Sequence, residues 1–290
     1  MSLGSDMANE EVWDGSTLSL HDLCEVARRG RPVSLSPEAR AKIVRSRAAV
    51  DAIVSAGDAG PAVYGVNTGF GALAETRIAQ GDIESLQRNL VRSHACGVGP
   101  DLGRAEVRAR MLLRAQVVAL GHSGVRLEVV ELLLAMLNTG VTPRVPAQGS
   151  VGASGDLAPL AHLALVLIGE GEVLAEGGGH EPALVALTRA GLRPVTLAAK
   201  EGLALINGTQ YMAALGALAV ADALELCCYA DIAGAISLEA LLGTKTPFDE
   251  RLMAVRPHPG QAEVAQNLRH LLTESQIMES HADCGKVQDP

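Results

Sequence analysis

Gly149-Ser150-Val151-Gly152-Ala153-Ser154-Gly155-Asp156-Leu157 sets small residues around one serine, and its centre, Ala153-Ser154-Gly155, can be read as the precursor of a reactive group. A glycine nitrogen with no neighbouring side chain can approach the alanine carbonyl two residues back and close a five-membered ring. Loss of the serine hydroxyl as water would then leave an exocyclic methylidene conjugated to the ring carbonyl, an electrophile that no ordinary side chain supplies. Alone, the tripeptide reads more simply as a Gly/Ser-rich entry to a helix. A phosphate-binding loop fits poorly, because there is no Gly-Lys-[Ser/Thr] and the glycines are not spaced Gly-x-Gly-x-x-Gly. A hydrolase elbow fails as well, since the second position after Ser154 is Asp156 and not glycine.

The elements around this run must position it. From Asp156 to Ile168 the chain is continuously apolar, which predicts a helix with Asp156 as its cap and Pro159 tolerated in the first turn, so that Ser154 stands just before a helix N-terminus. Ser36-Pro37-Glu38 has the hydroxyl, proline and carboxylate of a helix start, with Gly57 as its stop. Tyr64-Gly-Val-Asn-Thr-Gly-Phe-Gly71 breaks both helix and strand periodicity and predicts a mobile loop. Helical patterns cover about Ile83–Arg92, Ala105–Leu120 and Arg126–Leu137, the last closed by Gly140 and Pro143. Glu172 to Leu174 with the Gly177-Gly178-Gly179 turn predicts a small hairpin, followed by a helix from Pro182 to Gly191. Between Ala198 and Leu242 the apolar character runs nearly all round the helix, which predicts burial in a bundle or a subunit interface. Asp222, Glu225, Asp231 and Glu239 argue against a membrane span there. A last helix is expected from about Gln261 to Glu279. The fold class is therefore mainly α, with a minor hairpin.

Composition narrows the partners. Among 290 residues, 48% are hydrophobic but only 2% aromatic, so the core is packed from Ala, Leu and Val on close helices. A formal charge of -9 disfavours nucleic acid, and the stretch Arg28, Arg29, Arg31, Arg40, Lys42, Arg45, Arg47 reads as a solvated helix face. Cys24, Cys96, Cys227, Cys228 and Cys284 are odd in number, scattered and not preceded by a signal peptide, which points to a reduced, cytoplasmic protein. His281 and Cys284 lack a second ligand pair at zinc spacing, so no metal is expected. Residues 1–10 read as a leader or loose terminus.

Gly149 to His162 resembles the signature of the aromatic amino acid ammonia-lyases and aminomutases, whose tripeptide cyclises to 4-methylidene-imidazol-5-one (MIO). The resemblance extends through Tyr64-Gly-Val-Asn-Thr-Gly-Phe-Gly71, Asn89-Leu-Val-Arg-Ser-His-Ala-Cys-Gly-Val-Gly99, Leu205-Ile-Asn-Gly-Thr-Gln210, Arg256-Pro-His-Pro-Gly-Gln261 and Ser280-His-Ala-Asp-Cys-Gly-Lys-Val-Gln-Asp-Pro290. It implies an MIO made autocatalytically from Ala153, Ser154 and Gly155, with no diffusible cofactor and with Asp156 assisting ring formation. Tyr64 is then the acid/base at the substrate, on a loop able to close over it. An ordinary phenol has a pKa of about 10, so a base role needs a lowered value or a concerted transfer, and nearby helix N-termini would favour phenolate. Ser93 and His94 stand at the substrate-selectivity pair, where a histidine suits an imidazole substrate. Asn207 belongs to the site, near the start of an apolar helix where a buried amide must find partners, while Gln210 is structural. Gln288 is a further substrate-binding residue.

The resemblance implies non-oxidative deamination of L-histidine to trans-urocanate, in histidine catabolism, by a cytoplasmic homotetramer. Tyrosine or phenylalanine lyase or aminomutase activity is an alternative, as is a helical assembly module without chemistry. Domains are expected at 1–197, carrying the prosthetic group, and 198–290, the start of a long helical bundle. The family motif continues past the position of Pro290 into Tyr-Ser-Leu-Arg, whose arginine pairs with the substrate carboxylate. The chain therefore reads as the N-terminal portion of a family member, with little or no activity by itself.

Overall fold

Serines and glycines set several of the helix ends. In the computed structural model, which describes residues 11–13 and 18–285, Ser19 accepts from the Asp22 amide to cap α1 (Leu20–Arg29), and Gly30 closes it in the left-handed region. The expected leader lies outside the described residues, as does Gln288. A short strand β1 (Glu11–Trp13) pairs in parallel with β2 (Val33–Leu35). Ser36 then caps α2 (Pro37–Ser55) through the Ala39 amide, with Pro37 in the first turn.

Next come α3 (Ile83–His94), β3 (Val98–Asp101), α4 (Arg104–Ala119), α5 (Leu127–Thr139), β4 (Pro146–Gln148) and α6 (Ala158–Leu167). The antiparallel hairpin β5 (Glu172–Leu174) and β6 (His180–Pro182) leads into α7 (Ala183–Arg189). The remaining helices are α8 (Glu201–Ile206), α9 (Gln210–Ala240), α10 (Glu250–Val255), α11 (Pro259–Leu271) and α12 (Gln276–Ser280). The fold is mainly α. The hairpin forms where the sequence predicts it, and β3 also pairs antiparallel with β4. That second pairing, like β1 with β2, joins segments too far apart in sequence for a local turn signal.

Three expectations are corrected. The apolar stretch after Ala198 is broken at residues 207–209, between α8 and α9. The last predicted helix is two, with Glu274 between them at φ 58. Arg47, assigned to a solvated face, is buried and donates to the carbonyls of Gly124 at 3.0 Å and Ala199 at 2.9 Å.

Contacts divide the chain into two units, residues 1–218 and 219–290. In the first, the main core joins Leu90 and Val91 of α3, Met111 and Leu112 of α4, Leu133 and Leu137 of α5, and Leu160, Leu163 and Leu167 of α6. Helix α6 packs on α3, α5 and α8, which explains why it is apolar on every face. In the second unit, Ala235, Leu268, Leu272 and Met278 form a small core. The stretch Glu201–Ala240 is long and apolar enough to cross a membrane by length and composition alone.

Candidate active site

Strand β4 delivers the chain to Gly149, where an added Cβ would stand 3.1 Å from the Cβ of Ala158 and 3.2 Å from the Cα of Gly97. The exit of α3 therefore lies against the entry to the 149–157 run. Val151 to Ser154 are exposed, whereas Asp156 is fully buried. Gly155 has φ +85, and a Cβ on it would lie 2.6 Å from the carbonyl oxygen of Gly208. Only glycine fits there.

Asp156 does not cap α6. The N-cap residue is Leu157, at φ 44 and ψ -85, and Ser154 stands four residues ahead of the first helical residue, Ala158. Such a conformation costs a non-glycine residue about 1–3 kcal/mol, and its surroundings must hold it. They do so across the gap between α8 and α9. The Asp156 amide donates to the Gly208 carbonyl at 2.7 Å. Its carboxylate accepts from the Tyr211 amide at 2.7 Å and from the Ser150 hydroxyl at 3.3 Å. Asp156 thus serves the first turn of α9, a helix distant in sequence, because its own helix begins two residues later.

The 207–209 link is held from its other side by α4. Arg114, buried, donates to the carbonyls of Ala204 and of Asn207 (3.2 Å) and to Oε1 of Gln210 at 2.6 Å. Burial lowers its pKa to about 10, against the opposing pull of Asp156, so it stays charged at neutral pH. Arg110, one turn earlier, is wholly buried, and its three guanidinium nitrogens have no hydrogen-bond partner among the described residues. Its Cζ lies 5.9 Å from the centre of the Tyr211 ring, a cation–π contact. Burial brings its pKa to about 10 as well. The Tyr211 hydroxyl donates to the Ala147 carbonyl at 2.6 Å, and burial pushes its pKa up.

Asn207 is exposed and ends α8, so the expectation of a buried amide is corrected. Gln210 is buried on Arg114, as its structural reading requires. The loop carrying Tyr64 reaches α8, because a Cβ on Gly65 would meet Cδ2 of Leu203 at 2.5 Å. Asn67 holds this loop by donating to the Pro61 carbonyl at 3.1 Å and accepting from the Val63 amide at 2.7 Å. Tyr64 itself is 54% exposed and meets Phe70 edge-on, with ring centres 6.1 Å apart.

Ser93 and His94 close α3. The Ser93 hydroxyl donates to the Leu90 carbonyl at 2.9 Å, and Nδ1 of His94 lies 2.8 Å from the same oxygen. A carbonyl only accepts, so Nδ1 carries the proton of neutral His94 and Nε2 keeps a lone pair. His162, on α6, accepts from the Gly97 amide at 3.0 Å, and burial, then Arg110 and Arg144, hold its pKa below the usual histidine value.

The fold therefore joins the 149–157 run to the exit of α3 and to the 207–211 link, and the Tyr64 loop to α8. Sequence reasoning missed Gly208, Arg110, Arg114, Ser150, Tyr211 and His162. The available signal was Arg110 and Arg114, four residues apart and so on one face of α4, flanking the apolar run Met111-Leu112-Leu113. Among the described residues no group of three or more His, Cys, Asp or Glu is arranged to hold a metal.

Residues 18–290 match the family described as aromatic amino acid lyase. A histidine ammonia-lyase of Sorangium cellulosum (strain So ce56) is 72% identical over 275 residues, which are 95% of this chain and 53% of that protein. Histidine ammonia-lyase from Trypanosoma cruzi is similar in structure, with a TM-score of 0.81 and 44% identity over 90% of this chain and 49% of that one. Tyrosine aminomutase from Streptomyces globisporus gives a TM-score of 0.84 and 38% identity, over 96% of this chain and 53% of the other. The chain spans about half the length of the curated relatives it matches.

Proposed function

The chain belongs to the aromatic amino acid lyase family, and from that premise we propose that its protein eliminates ammonia from L-histidine, giving trans-urocanate. The observation that carries this reading is the double hold on Asp156, by Gly208 and Tyr211, which backs Ala153-Ser154-Gly155 against a second segment while leaving Ser154 exposed. The residues fit an MIO group: the position after the serine admits only glycine, so the nitrogen that must close the ring carries no side chain on its own Cα. Once formed, that group supplies an electrophilic methylidene carbon to the substrate amine.

The chain's own side chains do the rest. Tyr64, exposed on its loop, removes the β-proton, and closure of the loop excludes water. Nε2 of His94 accepts the N–H of a substrate imidazole, a donor that a phenyl ring lacks; Ser93 stands beside it on the same carbonyl. Asn207 orients polar groups of the substrate, Asp156 assists ring formation, and Gln288 contributes to substrate binding. We assign the protein to the cytoplasm as a soluble homotetramer in which other copies cover α9, with a prosthetic-group domain ending near residue 197.

The test is turnover by the full-length protein given L-histidine, L-tyrosine or L-phenylalanine, followed by absorbance of the conjugated acrylate. Urocanate should form fastest. Tyr64→Phe should lower kcat by about 10²–10⁴-fold. Preference for tyrosine, or an undiminished Tyr64→Phe enzyme, would overturn the assignment.

A further inference from the structure

Behind the reactive run lies a stack of three layers. Gly155 rests on the Gly208 backbone, and Gly208 rests in turn on Arg114 and Gln210, since a Cβ on Gly208 would collide with Nη1 of Arg114 and Oε1 of Gln210. Both supporting side chains are buried and bonded to each other at 2.6 Å. The carbonyls that Arg114 takes, those of Ala204 and Asn207, belong to the end of α8, where a helix leaves its last carbonyls without internal partners. One guanidinium therefore fixes the end of α8, the link and the start of α9 together.

We propose that Arg114, with Gln210, is a positioning residue for maturation of the 153–155 tripeptide, holding Gly208 as the fixed surface against which Gly155 is pressed. The inference rests on the reading that this tripeptide cyclises. In that step the Gly155 nitrogen bonds to the Ala153 carbonyl carbon, and the Ala153 oxygen leaves as water with the protons of the Gly155 and Ser154 amides. Ser154 then loses its Cα proton and its hydroxyl as a second water. No oxidant is needed. What the step does need is a close, held approach of two backbone atoms that an unsupported loop rarely brings together. Arg114 and Gln210 act through the backbone of Gly208, so they affect formation of the group before any substrate arrives.

The readout is the mass of the tryptic peptide Val145–Arg189, which contains the tripeptide and no internal lysine or arginine before Arg189. In the wild type this peptide should be lighter by two waters. Arg114→Met should slow cyclisation by about tenfold to a hundredfold in protein that keeps its helical circular dichroism. Arg114→Lys should restore part of the rate, and Gln210→Glu should preserve it by keeping an acceptor for the guanidinium. Cyclisation of folded Arg114→Met as fast as wild type would overturn the proposal. If Arg114→Met does not fold, Gln210→Leu decides, because it leaves the bonds to α8 in place; wild-type cyclisation there would overturn the proposal too. An unmodified peptide in the wild type would instead sink the cyclisation reading, and the inference with it.

Discussion

Helices α6 and α9 have the same kind of sequence and opposite surroundings. Both are apolar around nearly their whole circumference, α6 interrupted by His162 and α9 by a few scattered carboxylates, so neither has a broad polar face to give to water. In α6, Leu160, Leu163 and Leu167 are completely buried beneath α3, α5 and α8. Along residues 219–240 of α9 only Ala235 is buried, while Leu224, Leu226, Tyr229 and Ile236 are exposed. An all-apolar helix therefore states a demand for burial, and which elements meet it is decided elsewhere. For α6 the partners are local to the reactive run, which gives the tripeptide a rigid floor. For α9 they are further surfaces of the assembly proposed above.

The sharpest way to break this contrast is to remove the same side chain from each helix. Leu163→Ala should cost about 2–5 kcal/mol in chemical denaturation, because it opens a cavity in close-packed core. Leu224→Ala should change stability by no more than about 0.5 kcal/mol in the separated chain. Equal losses would mean that α9 is covered.

A smaller effect is expected from the buried charge on α4. Arg110→Met replaces a buried guanidinium with no hydrogen-bond partner among the described residues by an apolar chain of similar length. It should leave stability unchanged or raise it by about 1–4 kcal/mol. A clear fall in the denaturation midpoint would show that the charge is satisfied in the intact protein.

The smallest expected effect is on pH dependence. Burial lowers the folded-state pKa of His162 below its unfolded value of 6.5, so the unfolded chain takes the proton first as pH falls. The contribution of neutral His162 is complete above pH 6.5 and is lost as pH drops through the folded value. Protonation also removes the lone pair that accepts from Gly97. His162→Gln should flatten the loss of stability below pH 6.5 and change little above it, as read from denaturation midpoints across pH.

Much of the helical frame was legible because its signals are local. Ser36 with Pro37 starts α2, Gly140 ends α5 in the left-handed region, and the glycine turn makes the hairpin of β5 and β6. Four of the six motifs, those at 64–71, 89–99, 149–162 and 205–210, fall on the segments that the fold joins. What stayed hidden was non-local. Asp156 has the residue type of a helix cap, and nothing in its neighbourhood reveals that the Tyr211 amide, 55 residues away, takes its carboxylate instead. Arg47 reads as solvent-facing charge and nothing singles out Arg114, because their burial depends on carbonyls brought in by other elements. The link at Asn207 and Gly208 was masked by apolar residues on both sides, although its glycine was the clue.

The central claim is that Ala153-Ser154-Gly155 becomes an electrophile on the floor made by Gly208 and Asp156. Peptide Val145–Arg189 from the purified wild-type protein, weighed beside the same peptide from Ser154→Ala, tests it most directly. The account predicts that the wild-type peptide is lighter than its sequence by two waters and that the Ser154→Ala peptide cannot lose the second. A wild-type peptide of unmodified mass would contradict it.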